Sequence, residues 1–188
     1  MAPAQLVEGL QGVNSTNAEL GRPFEFAEFF VGMGGYSRTL EELAGDQVRV
    51  RLPLDGYDSW NILEENGFKE GERICNEADH GHFAPPCRTL RRARRSDEYG
   101  EVKRLRSDQS PEGWGSPEAE EANKIVSLMV FLILMLVKRG RTFAVENPWD
   151  SFLWALKCMV QLLRLKDVEL VLLHQCAYGS VTPNPTGI

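Results

Sequence analysis

Short runs typical of β-strands alternate with segments typical of helices along most of the sequence, and this alternation constrains the fold more than any other feature. The strand-type runs hold aromatic or β-branched residues, whereas the helix-type segments repeat apolar residues every three or four positions. Such alternation is typical of a parallel sheet, because each helix returns the chain to the edge where the next strand starts. The predicted strands cover residues 26–31, 48–52, 82–84, 142–145 and 168–173, and the predicted helices cover residues 36–43, 60–68, 116–139 and 151–163.

The pattern predicts an α/β domain, built on a mostly parallel sheet with helices on both faces. Residues 24–188 would form this domain, and the polar residues 1–23 would form a flexible N-terminal arm. A chain of 188 residues that is 43% hydrophobic and 26% charged can bury a sizeable core and has the balance of a globular domain.

The third predicted helix combines clear end signals with a long apolar run. Ser116 and Pro117 are typical of a helix start, and Gly140 is typical of the position just after a helix end. Residues 125–137 are apolar or small except for Ser127. Because this run is too short to cross a bilayer, we expect a helix that is buried on nearly all sides within the protein.

Charge and cysteine content exclude several classes of protein. The net charge of −6 argues against a uniformly basic nucleic-acid coat, although arginines are concentrated in residues 88–106. The four cysteines form no Cys-x-x-Cys pair and no cluster with histidine, so we predict no metal site. Residues 1–20 lack the pattern of a signal peptide. We therefore expect no membrane partner and an intracellular protein, nuclear in a eukaryote and otherwise cytoplasmic.

A cysteine on a proline-stiffened turn follows the third predicted strand. Pro85 and Pro86 end the strand and leave Cys87 at its carboxyl end, the edge where open α/β sheets bind ligands. A cysteine held in a fixed direction there could act as a nucleophile, and the positive field of nearby arginines would favour its reactive thiolate. A buried cysteine beside solvated arginines is the other interpretation. The arginines are Arg88, Arg91, Arg92, Arg94 and Arg95.

Glycines and a carboxylate mark a second candidate binding feature. Gly32, Gly34 and Gly35 separate the first predicted strand from the first helix, where glycines let the backbone approach a ligand. Asp55 follows the second strand about twenty residues later, the spacing at which dinucleotide-binding folds place a ribose-binding carboxylate. A glycine cluster is equally typical of an ordinary tight turn.

Four motifs lie at or after the ends of predicted strands, in the order Phe30-Val31-Gly32-Met33-Gly34-Gly35, Pro86-Cys87, Glu146-Asn147 and Tyr178-Gly179. Together they resemble the C5 cytosine DNA methyltransferase family. The first resembles that family's cofactor turn, the second its catalytic Pro-Cys motif, the third its Glu-Asn-Val motif and the fourth the start of its Gln-x-Arg-x-Arg region. The resemblance covers residues 26–188 and implies a Rossmann-like sheet of the S-adenosylmethionine methyltransferase type.

The resemblance implies a covalent mechanism. Cys87 would add to C6 of a cytosine in DNA, while Glu146 would hydrogen-bond or protonate N3, so that C5 could accept a methyl group from S-adenosylmethionine. Asn147 would hold the turn or the base. The cofactor would lie against Asp55, which would bind its ribose, and against Phe30, Gly32, Gly34, Gly35 and Pro86.

The same resemblance implies how the nucleic acid would bind. The base must leave the duplex, and residues 96–115 would form the catalytic loop that closes over it. Phosphates would be neutralised by the arginines from Arg88 to Arg106, and we expect DNA more than RNA as the partner. Asp58 or Asp79 could replace the family's adenine-binding residue.

The sequence also departs from this family. Arg88 follows Cys87 where the family has Gln, and Pro148 follows the Glu-Asn pair where it has Val. No Gln-x-Arg-x-Arg sequence or target-recognition region follows Tyr178, so the closing strands of the sheet could be missing. A second hypothesis is therefore a non-catalytic, degenerate methyltransferase-like domain, a fragment or mobile-element relic, that binds nucleic acid or a protein partner.

Overall fold

In the part of the chain that the structure describes, the sheet at the centre of the fold has four strands, all of them parallel, in the order β2-β1-β3-β4. The strands are β1 (Phe24–Phe29), β2 (Val48–Leu54), β3 (His80–Phe83) and β4 (Thr142–Val145). The computed structural model describes residues 21–30, 35–54, 61–92, 105–174 and 185–188. Within them, the predicted α/β class and parallel sheet are confirmed.

Helices cover both faces of this sheet, as predicted. Successive residues of a strand point to opposite faces, so Phe26 and Ala27 of β1 belong to different cores. Phe26 packs with Val48 and the first helix, whereas Ala27 belongs to the larger core, to which the other three helices contribute. The helices are α1 (Gly35–Ala44), α2 (Glu65–Glu77), α3 (Pro117–Lys138) and α4 (Lys157–Leu162).

The larger core forms where α3 packs against β3 and β4. The rings of Phe29 and Phe83, on neighbouring strands, stack with their centroids 4.5 Å apart. Gly81 lets α3 approach closely, because a Cβ atom there would lie 2.6 Å from Leu136 Cδ1. A parallel sheet surrounded by helices therefore buries its central strands on both sides.

The end signals of α3 are confirmed, but its predicted burial is only partly correct. The Ser116 side chain accepts a hydrogen bond from the backbone of Ala119, and Gly140 adopts a φ of +68° just after the helix. One side of α3 faces solvent, since Phe131 is 48% exposed and Leu134 is 44% exposed. Apolar residues occur on all sides of α3, but the rest of the described structure covers only part of its surface. The sequence does not show which side remains exposed.

The prediction for the second helix is wrong in its position. We expected a helix over residues 60–68 that ends at Asn66-Gly67, whereas α2 begins at Glu65 and runs to Glu77. A Cβ atom at Gly67 would lie 1.9 Å from the carbonyl oxygen of Asn61. Glycine therefore serves here for close packing of the first helical turn against the preceding turn, and it does not end a helix.

The C-terminal part also differs from the prediction. Residues 168–173 were expected to form a buried strand of the parallel sheet, but β6 (Leu172–His174) belongs to a separate antiparallel sheet of order β5-β7-β6. Its partners are β5 (Asn147–Pro148) and β7 (Pro185–Gly187). Leu172 is 43% exposed, because β6 pairs with β7 at the edge of this small sheet.

The predicted fourth helix is divided into two parts. A 3-10 turn over Phe152–Ala155 precedes α4, and Leu156 between them has an extended backbone with ψ of 140°. Leu153, Leu156 and the α4 residue Met159 still reach the larger core together. The apolar spacing was therefore identified correctly, although the backbone is not a continuous helix.

Candidate functional site

The carboxyl ends of β1, β3 and β4 lie side by side at one edge of the parallel sheet. The hydrogen-bonded ladder continues beyond the strands, since Ala84 N–H donates to Phe29 at 3.2 Å and Glu146 N–H donates to Phe83 at 2.8 Å. The strand order changes direction between β1 and β3, because β2 lies on one side of β1 while β3 and β4 lie on the other. Open α/β sheets bind ligands at such a point. The Cys87 turn and the Glu146-Asn147 pair leave adjacent strands at this edge.

The turn that carries Cys87 is held firmly. The Cys87 carbonyl accepts hydrogen bonds of 3.0 Å from both Leu90 N–H and Arg91 N–H. Leu90 is fully buried, and its carbonyl accepts a 2.8 Å hydrogen bond from Phe152 N–H. Cys87 itself is a half-buried free thiol. The backbone therefore fixes the cysteine while leaving part of its side chain accessible.

Asn147 connects this turn to the end of β4. Its side-chain Nδ2 donates a 3.0 Å hydrogen bond to the carbonyl of Pro85, and the residue is 1% exposed. Its Oδ1 is buried and has no hydrogen-bond partner among the described residues. Of the two roles considered for Asn147, the structure shows the contact with the turn.

Glu146 is half-buried beside the same turn. Burial raises the pKa of its carboxyl, while a hydrogen bond from the Thr186 side chain and the charge of Arg91 act in the opposite direction. A carboxyl whose pKa is raised keeps a proton to higher pH, which suits a group that shares a proton with a ligand. No pattern in the sequence marks Thr186, because it lies forty residues further along the chain and belongs to no recognised motif.

The predicted arginines differ in their surroundings. Arg88, Arg91 and Arg92 are exposed, while Arg94 and Arg95 lie outside the described residues. Arg92 forms an ion pair of 2.5 Å with Asp108, and its guanidinium lies 4.7 Å from the centre of the Phe152 ring. Arg92 is therefore already engaged within the protein.

Arg106 is not available for phosphate groups, which corrects its assignment to the basic patch. It is 3% exposed, and burial lowers the pKa of its guanidinium. Its four hydrogen bonds, of 2.7–3.1 Å, join the Cys87 turn to the start of α3 and to the preceding loop, of which residues 105–115 are described. The acceptors are the backbone carbonyls of Thr89, Pro111 and Ala119 and the side-chain oxygen of Asn123.

The predicted cofactor side is described only in part. Phe30, directly after β1, has a φ of +62°, a left-handed conformation uncommon outside glycine. Gly35 is the first residue of α1. Pro86 is exposed on the Cys87 turn. Gly32, Gly34 and Asp55 lie outside the described residues, as does Asp58.

A buried carboxylate stabilises the start of α1. Glu28 is 5% exposed and accepts hydrogen bonds from Ser37, from the backbone N–H at 3.0 Å and from the side-chain hydroxyl. Negative charge is favourable at this end of a helix, where N–H groups lack partners. The sequence alone does not indicate this role of Glu28, because its position among apolar residues resembles that of a polar residue in an ordinary strand.

Asp79 lies at the opposite edge of the sheet from the candidate site, so its suggested role in binding adenine is wrong. It precedes β3, and its carboxylate binds Arg22 at 2.7 Å and Arg141 at 2.9 Å. The backbone N–H of Glu25 also donates to it at 3.0 Å. These contacts make Asp79 a structural anchor for the amino ends of the strands.

No group of three or more His, Cys, Asp or Glu residues in the described part of the chain is arranged to hold a metal ion. Across the same residues, no helix has the length and apolar character needed to cross a membrane.

No protein-family model matches this chain, and comparisons with curated proteins and with solved structures also find no match. The fold and site nevertheless define a class, which is an α/β protein with a four-stranded parallel sheet. Within that class, a cysteine and a carboxyl group follow adjacent strands at the edge of the sheet where the carboxyl ends of the strands lie.

Proposed function

We propose that this chain is an S-adenosylmethionine-dependent methyltransferase that modifies C5 of cytosine in DNA through a covalent adduct with Cys87. The observation that carries the proposal is that Cys87 and Glu146 follow two adjacent parallel strands, β3 and β4, with the segments after these strands joined by the hydrogen bond from Asn147 to Pro85. A nucleophile and a proton-sharing carboxyl are the two groups that activation of a pyrimidine ring requires.

The strand order supports a Rossmann-like sheet of the methyltransferase type. In such a sheet a cofactor binds where the order reverses, which here is between β1 and β3. The described residues at this point are compatible with a cofactor, since Phe30, just after β1, has a left-handed backbone and α1 begins at a glycine, Gly35. Gly32, Gly34, Asp55 and Pro86 would complete the site. When bound, S-adenosylmethionine supplies an electrophilic methyl group.

The residues of the chain perform the activation of the base. The thiolate of Cys87 forms a bond between Sγ and C6, which moves electron density toward N3 and makes C5 nucleophilic. Glu146 holds a proton at N3 and so stabilises this density. After C5 is methylated, loss of the C5 proton to a base expels the thiolate and restores the ring.

The raised pKa of the Glu146 carboxyl favours this role. A carboxyl with a raised pKa is protonated over a wider pH range, and it is still a strong enough acid to donate that proton to N3. Activity should accordingly fall as the pH rises above the pKa of this carboxyl, because the donor form is then lost.

The first experiment measures binding of S-adenosylmethionine by calorimetry, with the wild type and with Gly34→Asp. The added side chain and charge should block the approach of the cofactor. Binding that is lost in the variant supports a cofactor site, whereas absence of binding to a folded wild type would refute the enzyme proposal.

The second experiment tests the covalent step. DNA that contains 5-fluorocytosine should trap the adduct in the presence of the cofactor, because fluorine cannot leave C5 as the proton does. We expect one protein–DNA adduct, visible after denaturation, which Cys87→Ser abolishes and Cys158→Ser retains. Cys158 is a matched control, since it is also a half-buried free thiol but lies on α4. An adduct that persists in Cys87→Ser would exclude Cys87 as the nucleophile.

A non-catalytic domain that binds a protein partner is the second candidate function. It is favoured by the exposed apolar side of α3, where Phe131, Leu134 and Val137 are 36–48% exposed. A folded chain that binds no S-adenosylmethionine would support this alternative.

A further inference from the structure

The strand β7 brings a residue from the far end of the sequence to the candidate site. It lies between β5 and β6, where Pro148 pairs with Thr186 and Asn147 pairs with Gly187. Gly187 allows this close approach, because a Cβ atom there would lie 2.8 Å from Cζ2 of Trp154. The position of β7 is therefore fixed by pairing on two sides and by contact with an aromatic ring.

The side chain that β7 places beside Glu146 is buried. Thr186 is 2% exposed and forms a hydrogen bond with the Glu146 carboxyl. Among the described residues, Arg91 on the Cys87 turn is the charged residue that acts on the same carboxyl, but it is exposed and its field is weakened by solvent. The next acid along the chain, Asp150, acts on Arg92 instead. Thr186 thus provides the sheltered contact of this carboxyl.

We propose that Thr186 is a positioning residue whose hydroxyl holds the Glu146 carboxyl in a fixed orientation beside the Cys87 turn. Its consequence for catalysis rests on the proposed function, whereas the contact itself does not. A hydroxyl that donates to a carboxylate fixes one oxygen and leaves the other to bind a ligand. It also favours the ionised form, so the contact controls when Glu146 carries a proton.

Thr186→Val tests this inference with little change of shape, because a methyl group replaces the hydroxyl. Without the hydroxyl donor, less remains to counteract the effect of burial on the pKa of Glu146. Its titration midpoint should therefore rise by about one to two pH units. Thr186→Ser retains the hydroxyl and should titrate near the wild type. Thr186→Ala removes the donor in a smaller side chain and serves if the valine variant does not fold.

The measurement is the NMR titration of carboxyl carbons in protein labelled at glutamate, with Glu146→Gln to identify the resonance. It needs neither cofactor nor DNA, so it can succeed or fail independently of the methyltransferase proposal. A higher midpoint in Thr186→Val or Thr186→Ala, and a normal midpoint in Thr186→Ser, is the expected result. The same midpoint in all folded variants would overturn the inference.

The pH dependence of adduct formation provides a second measurement. If Thr186 positions and ionises Glu146, its valine variant should shift the pH profile of the rate by the same amount as the NMR midpoint. A purely structural role would instead lower the rate by a similar factor at every pH, and this result would contradict the inference.

Discussion

Replacing Arg106 by methionine should destabilise the protein strongly, since this arginine joins three parts of the chain. Its guanidinium donates four hydrogen bonds and is 3% exposed. Hydrogen bonds to a charged group contribute about 1.5–3 kcal/mol each, but they are not additive, and removal of the cation also ends the cost of its burial. Single substitutions rarely cost more than about 4–5 kcal/mol. We therefore expect a loss of about 3–5 kcal/mol.

Urea denaturation, with the midpoint and slope compared between variants, measures this loss directly. For a chain of 188 residues it corresponds to a decrease in Tm of about 6–20 °C. Arg106→Lys should be intermediate, because an ammonium group keeps the charge but cannot reach four acceptors. Arg92→Met is the matched control and should change stability little, since the ion pair of Arg92 is exposed. A loss below about 1 kcal/mol in Arg106→Met would refute the reasoning.

Three further predictions concern the sheet and its helices. Asp79→Asn should cost about 2–4 kcal/mol at pH 7, measured by denaturation, because it breaks a partly buried pair with Arg22. Burial opposes ionisation of Asp79, but Arg22 and a backbone N–H lower its pKa overall. The stability that the ionised carboxylate contributes to the wild type should therefore be lost as the pH falls from about 4, whereas the stability of the variant should not show this loss. Gly67→Ala should cost about 1–3 kcal/mol through its clash with Asn61, and an unchanged Tm would contradict the packing argument. Burial lowers the pKa of His80 to about 4, so its neutral form stabilises the fold above about pH 6.5 and this contribution is lost on acidification. The free energy of unfolding of His80→Phe should therefore change less than that of the wild type between pH 7 and 4.5.

Local signals in the sequence were sufficient for the elements whose causes are local. The caps of α3 at Ser116 and Gly140 were found because each acts within a few residues of itself. The parallel sheet followed from the alternation of strands and helices. The placement of Cys87 and Glu146 at one edge of the sheet followed in turn, because neighbouring parallel strands end at the same side.

The features that could not be predicted from the sequence depend on contacts that form only in the folded chain. The start of α2 depends on the close approach of Gly67 to Asn61, and helix propensities of single residues do not include such a contact. Arg106 looked like one more cation of a basic run, and only the folded chain shows it buried among carbonyl groups. Thr186 could not be assigned, because its importance comes from β7 pairing beside a residue forty positions earlier.

The pairing of β7 beside Glu146 also has a consequence for biosynthesis. A ribosome adds roughly 5–20 residues per second, so Thr186 is synthesised about 2–8 s after Glu146. During that interval the nascent chain already contains Cys87 and Glu146, but not the strand whose Thr186 forms a hydrogen bond with the Glu146 carboxyl. The order of synthesis therefore delays completion of the candidate site until the last strand of the described chain has been made.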